Sequence, residues 1–171
     1  SGADLTDVTL PDTGLSGKNF EYTTFDGVDL SGKDLSSSNF QYASFNNADL
    51  RNVDFSSSFL IQVDFTKIKN KSLAGADLLE ASLAYANLSG VNLTGVTLDT
   101  NNFYQATLSG LDFTVISNGL IKGATFSEAD LSNSNFEGVS LFDDRIYIAT
   151  ATGQAQKVDR SFYELTREFF P

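Results

Sequence analysis

The 171-residue sequence contains no cysteine, no histidine and no methionine, and its only prolines are Pro11 and Pro171. Without cysteine there is no disulfide and no thiolate ligand. Without histidine there is no imidazole ligand and no Ser-His-Asp or Cys-His nucleophile system. Scarcity of proline leaves the backbone N–H groups free to donate along a ladder. No run of eighteen apolar residues occurs, so no segment is expected to cross a membrane as a helix. The missing initiator methionine, in a chain opening on Gly2-Ala3-Asp4-Leu5, carries the expectation that the N-terminus was processed or cut.

Positive charge is also scarce. Twenty-two acids oppose eleven bases, for a formal charge of -11. Residues 1–65 hold ten acids and three bases, and residues 121–171 hold eight and five. The middle is closer to balance because Lys67, Lys69 and Lys71 cluster there. So acidic a surface argues against direct nucleic-acid binding, since it repels phosphates, and it attracts basic partners.

What is present is a period. Leu73, Leu78, Leu83, Leu88, Leu93, Leu98, Phe103, Leu108 and Phe113 are spaced by five. On an α-helix five residues advance roughly 500°, which leaves no single apolar face. On a flat strand an odd period alternates between faces. Burying all of these residues requires a chain that turns repeatedly about one axis, which is a solenoid. The same frame runs from Leu5 to Phe65, slips by three residues before Leu73, and slips again between Phe113 and Ile121. Each slip is either a bulge or a shortened edge. Nine glycines, among them Gly27, Gly75 and Gly110, lie two residues after a central Leu or Phe, which marks that position as a turn, with φ > 0 or a tight corner. Lys18 and Lys33 occupy the inward small position, where the expectation is a distorted edge or a stem along the wall with its ammonium in water.

Ala48-Asp49-Leu50-Arg51-Asn52, Ala76-Asp77-Leu78-Leu79-Glu80 and Ala129-Asp130-Leu131-Ser132-Asn133 show a small residue, Asp, Leu and two variable residues. Over roughly residues 3–143 the chain resembles the pentapeptide repeat family. The resemblance implies an all-β solenoid, a right-handed quadrilateral β-helix with about twenty residues per coil. It also implies about seven coils, roughly 34 Å at a strand spacing of ~4.8 Å. The expected organisation is a β-helix over 1–145, with frame slips near 66–72 and 114–120, and a C-terminal region over 146–171. Family members are common in cyanobacteria and occur in plastid lumens. The thylakoid lumen or periplasm, after loss of a leader, is therefore favoured over the cytoplasm.

After Leu141 the repeat fades. Arg145 to Gly153 has β character, Gln154 to Lys157 reads as polar linker, and Ser161 with Glu164 forms a capping box before Phe162, Leu165 and Phe169 at helical spacing. A short amphipathic helix is expected there, as a lid on the open end of the stack or as a dimerisation element. The lid, and with it a monomer, is favoured.

The candidate interaction surface comprises Phe59, Ile61, Lys67, Lys69, Lys71, Tyr22 and Tyr42, with Leu79 and Tyr104 as further apolar positions. Phe59 and Ile61 flank the inward Leu60 and are expected to face out. The three lysines alternate, which at an extended edge would point them the same way toward a partner, but a solvated bulge is the favoured account of this stretch. Asp143-Asp144 lacks the surrounding oxygens of a hard-cation site. No metal, cofactor or catalytic residue is expected.

Three functions are weighed. The first is a non-catalytic structural or interaction module for a protein partner. The second follows from the resemblance, because some pentapeptide repeat proteins bind type II topoisomerases: columns such as Asp29 with Asp49 and Asp34 with Asp54 would imitate DNA phosphates and modulate gyrase. Against it, those members usually carry inward cysteines, and side chains at this position can instead serve local backbone groups. The third, a polysaccharide-cleaving enzyme on a parallel β-helix, lacks clustered carboxylates and a groove. The first is preferred.

Overall fold

The computed structural model describes residues 1–142 and 156–158. The expected helix from Ser161 and the Asp143-Asp144 pair lie outside the described residues.

The chain coils as a β-solenoid. Parallel bridges join residues twenty apart and fall in four columns, exemplified by Thr24 with Ser44, Asp29 with Asp49, Asp34 with Asp54 and Asn19 with Asn39. Each column alternates N–H and C=O between coils, as in Leu5 N–H to Thr24 C=O (2.8 Å) and Thr24 N–H to Ala3 C=O (2.9 Å). This is why a period of five can bury every central residue. Each group of five makes one edge, and the corner after it redirects the chain toward the axis.

The corners are turns closed by a hydrogen bond to the central carbonyl, such as Val28 N–H to Phe25 C=O (3.1 Å). At nearly every corner the residue two after the centre is left-handed, whether glycine (Gly27 φ 74°, Gly75 φ 73°) or not (Tyr42 φ 60°, Ser57 φ 56°); Asp12 and, at the insertions, Lys67 and Val115 are the exceptions. A positive φ at that position is the mark of a type II turn. At Gly75 an added Cβ would also collide with the Asn52 side-chain oxygen, so a side chain there requires Asn52 to move.

Inside, Leu and Phe from Leu15 to Phe136 form one continuous buried core, with Leu5, Leu10 and Phe20 packed against its end. Rings stack along the axis, Phe25 on Phe45 at 5.2 Å and 7°, and Phe113 on Phe136 at 4.2 Å and 14°. Rings of neighbouring columns meet edge to face, as Phe40 meets Phe55 at 5.2 Å and 81°. Both are the arrangements that the ring quadrupole favours.

Both slips are insertions. Short 3-10 turns at Phe65–Lys67 and Lys69–Lys71 flank Ile68, and those at Phe113–Val115 and Ser117–Gly119 flank Ile116. The two isoleucines are extended (ψ 161° and 162°) and buried, and bridges across each insertion join residues 23 apart, such as Asp54 with Asp77 and Asn102 with Thr125. Lys67, Lys69 and Lys71 therefore do not share an extended edge, because two 3-10 turns replace it.

Toward the C-terminus four strands form, β1 (Leu120–Lys122), β2 (Asn135–Phe136), β3 (Ser140–Phe142) and β4 (Gln156–Val158). β1 pairs parallel with β3, and β2 with β4. The stretch expected as polar linker thus contributes a strand. Lys33 keeps its corner bond to Leu30 C=O (3.1 Å), so its edge is not distorted there. Its side chain is only 12% exposed, and the ammonium, rather than lying in water, meets Asp12 at 2.8 Å and Pro11 C=O at 3.4 Å.

Candidate interaction face

One face of the rod is built on the bridge column Asn19, Asn39, Phe59, Ser82, Asn102 and Thr125. These residues precede the central position, so their side chains point outward while Phe40, Leu60 and Leu83 point in. At one border lies the corner of Tyr22, Tyr42, Gln62, Tyr85 and Gln105. It is held in register by Tyr22 N–H to Gln41 C=O (3.0 Å), Tyr42 N–H to Ile61 C=O (3.1 Å) and Tyr85 N–H to Tyr104 C=O (2.8 Å). At the other border Ser57 N–H donates to Leu79 C=O (2.7 Å).

This face collects the exposed apolar surface of the described residues. Tyr22 (58%), Tyr42 (41%), Phe59 (53%), Tyr85 (48%) and Leu79 (36%) lie on it, whereas Val8 and Val115, the other exposed large apolar side chains among the described residues, do not. Ile61 and Tyr104 are half-buried beside them. The Tyr22 and Tyr42 rings stack at 4.8 Å and 3°, and Tyr85 meets Tyr104 edge on at 5.5 Å. Burial of one face cannot explain this placement, because these side chains face solvent.

The backbone carries a second mark. From Tyr22 to Glu128 every residue at the tyrosine corner is a non-glycine with φ between 52° and 61°. The two corners away from this face relax with Gly27, Gly90 and Gly110, or with Gly32, Gly75 and Gly95. A left-handed non-glycine costs on the order of 1–2 kcal/mol. The corner thus keeps large side chains where glycine would cost less.

Tyr22, Tyr42, Phe59 and Ile61 come together here, whereas Lys67, Lys69 and Lys71 occupy the first insertion at another edge. Lys67 approaches Asp64 at 3.8 Å, and Lys69 reaches Asp49 at 3.1 Å. Tyr85 completes the face, and it escapes a count by twenties because the insertion moves it to 43 residues beyond Tyr42. Tyr104 is coupled to Glu128, which raises the phenol's pKa by charge repulsion, and Gln105 also donates to Glu128.

The acidic columns are present but occupied. Asp29 accepts from Ser31 N–H (3.0 Å) and hydroxyl (2.6 Å), and Asp34 accepts the same pair from Ser36 at 3.0 and 2.7 Å. These bonds lower both carboxyl pKa values. Asp49 is buried at 3% exposure and clamped by Arg51 Nε (2.8 Å) and Lys69 Nζ (3.1 Å), which hold its carboxyl far below the usual range. This clamp is a feature that the spacing did not reveal. Its signal was two bases, two and twenty residues beyond the one aspartate destined for burial.

Pentapeptide repeats match the chain in eight copies, over residues 29–66, 71–99, 81–114 and 121–143. Among solved structures, HetL, a pentapeptide repeat protein involved in heterocyst differentiation regulation from the cyanobacterium Nostoc sp. strain PCC 7120, is 26% identical. The match covers 80% of this chain and 71% of HetL, with a TM-score of 0.53. QnrB1, a plasmid-mediated fluoroquinolone resistance protein, is 20% identical in its trypsin-treated form over 98% of this chain and 95% of that one, with a TM-score of 0.39. A pentapeptide repeat protein of the Arabidopsis thaliana thylakoid lumen is 25% identical over 81% of each chain, with a TM-score of 0.16. No curated protein matches the chain in sequence.

Proposed function

This chain belongs to the pentapeptide repeat family, and from that premise we propose that it is a non-catalytic module whose rigid solenoid presents one face to a protein partner. The observation that carries this reading is the gathering of Tyr22, Tyr42, Phe59 and Tyr85 on a single face, the three tyrosines at corners that glycine would relax. A rod with a stacked core has few ways to deform, so recognition falls to fixed side chains on its surface. In the same proposal the β-helix is right-handed, has about seven coils, extends over 1–145 and is closed by the 146–171 region, and it acts as a monomer.

Site-directed photo-crosslinking in extract of the source cell tests the reading. A photoreactive residue at Tyr42 or Phe59 should trap a discrete protein that the same residue at Val115 does not trap. Equal labelling from all three positions would defeat it.

The gyrase-directed reading stands second. It is supported by columns such as Asp34, Asp54 and Asp77, but an imitation of phosphates needs free carboxylates, and many here are bonded to the chain itself. A supercoiling assay with excess protein decides the matter, since inhibition is required of the mimic.

A further inference from the structure

We propose that the aromatic face binds a basic peptide segment anchored by apolar side chains, laid along the rod axis. The proposal rests on the interaction-module reading and adds the chemistry of the partner.

Charge supports it first. In four of the coils that make this face, residues 36–42, 56–62, 79–85 and 99–105, there is no lysine or arginine, and the charged residues are Glu80 and Asp99. In the coils on either side Glu21 is accompanied by Lys18 and Glu128 by Lys122, so the acidic rim belongs to these four coils. A chain of net charge -11 adds a long-range field of the same sign. A second copy is disfavoured by that charge, because it would bring like-charged rims together.

Size supports it next. Four coil steps from Tyr22 to Gln105 span about 19 Å at a strand spacing of ~4.8 Å, and one edge is about 10 Å wide. That strip is far smaller than the ~800 Å² per partner buried by a standard globular interface. It matches about six residues of extended chain at ~3.3 Å each. The N–H and C=O groups of the face are already bonded between coils, as in Phe40 N–H to Phe59 C=O (2.7 Å) and Phe59 N–H to Ser38 C=O (2.9 Å). Affinity must therefore come from side chains: aliphatic or aromatic anchors against Phe59 and the tyrosines, and guanidinium or ammonium groups near the rings and rim carboxylates.

A random dodecapeptide display library panned against the full chain tests the proposal, with counter-selection on a Phe59→Ser, Tyr42→Ser double variant. Both changes copy residues that other coils already carry at equivalent positions, Ser82 in the same column and Ser57 at a left-handed corner, so the fold is preserved. Circular dichroism and thermal unfolding confirm that before panning. The expected result is enrichment of net-positive peptides containing Leu, Phe or Tyr, whose affinity falls about tenfold on the double variant and not on Val115→Ser. The same affinity falls with added salt. A second variant, Glu80→Gln with Asp99→Asn, should relax the preference for positive charge while retaining the apolar anchors. Enrichment of neutral or acidic peptides that still depends on Phe59 overturns the partner chemistry and leaves the interaction face standing. Absence of any Phe59-dependent enrichment overturns the proposal; if the crosslinks at Tyr42 and Phe59 are also missing, the interaction reading falls with it.

Discussion

Asp49 follows Asp29 in a column of parallel bridges, and Arg51 and Lys69 converge on Asp49. Two carboxylates on adjacent coils repel, and burial of one of them adds a desolvation cost. The clamp offsets both, and it uses a lysine that only the first insertion supplies. Replacing Arg51 and Lys69 together by alanine leaves a buried carboxylate without a cation and should lower the urea midpoint at neutral pH, by less than the loss of a fully buried pair because both cations are half exposed. Asp49 has a folded-state pKa below its unfolded value of ~3.9. Its contribution is therefore present above about pH 4 and is lost as the pH falls below that. The difference between wild type and double variant should shrink steadily on acidification. A difference that stays constant from neutral pH to strong acid would remove the clamp from the account.

Asn101 breaks the pattern of its column in the core. At the inward small position, Ser38 and Ser58 donate their hydroxyls to Leu15 C=O (3.3 Å) and Leu35 C=O (3.1 Å). Asn101 makes the corresponding donation to Leu78 C=O at 2.5 Å, but its Oδ1 is buried without a hydrogen-bond partner. An unsatisfied buried oxygen costs about 1–3 kcal/mol. Asn101→Ser keeps a donor and removes the orphan, so it should stabilise the protein by about 1 kcal/mol, read as a higher urea midpoint with unchanged slope.

The two aspects of the molecule were unequally legible for physical reasons. Leu73 to Phe113 announced a solenoid because each buried residue must obey the same period, and a single frame constrains them all. The sequence marked the insertions at Phe65 and Phe113 but left their form open. An extra inward residue and a shortened edge shift the frame equally, and only the 3-10 turns around Ile68 and Ile116 distinguish them. The face was partly legible. Tyr22 and Tyr42 share a column at the simple period of twenty, whereas Tyr85 joins them only once the three inserted residues are counted. Lys67, Lys69 and Lys71 lie on the bulge favoured for that stretch, and alternation implies a shared direction only on an extended edge, which the two 3-10 turns replace.

Tyr104 offers a spectroscopic handle on the face. Repulsion from Glu128 is the main reason its phenol titrates above the ordinary value of 10.0. Glu128→Gln should lower the Tyr104 pKa toward that value, observed in its ring resonances during an alkaline NMR titration. Ionisation of a phenol with a raised folded-state pKa favours the unfolded chain, so this stabilisation is complete below pH ~10 and is lost as the pH rises through the folded value. An unchanged Tyr104 titration in the variant would show that the two groups do not interact.

The two insertions also provide a matched pair for chemical ageing. Asn70 and Asn118 occupy the same place in their turns, with φ 56° and 62°, and both are exposed. Lys71 follows one and Gly119 the other. Deamidation requires the next residue's backbone nitrogen to attack the asparagine Cγ, expelling ammonia and closing a succinimide that water opens to aspartate or isoaspartate. Glycine presents no side chain to hinder that approach. Gly119 N–H is also held only by a long bond to Ile116 C=O (3.4 Å), whereas Lys71 N–H is bonded to Ile68 C=O at 3.0 Å. Prolonged incubation at mildly alkaline pH, followed by peptide mapping, should therefore show conversion at Asn118 well ahead of Asn70. Gly119→Ala should slow it, and conversion at equal rates would mean that turn geometry, common to both sites, outweighs the neighbouring residue.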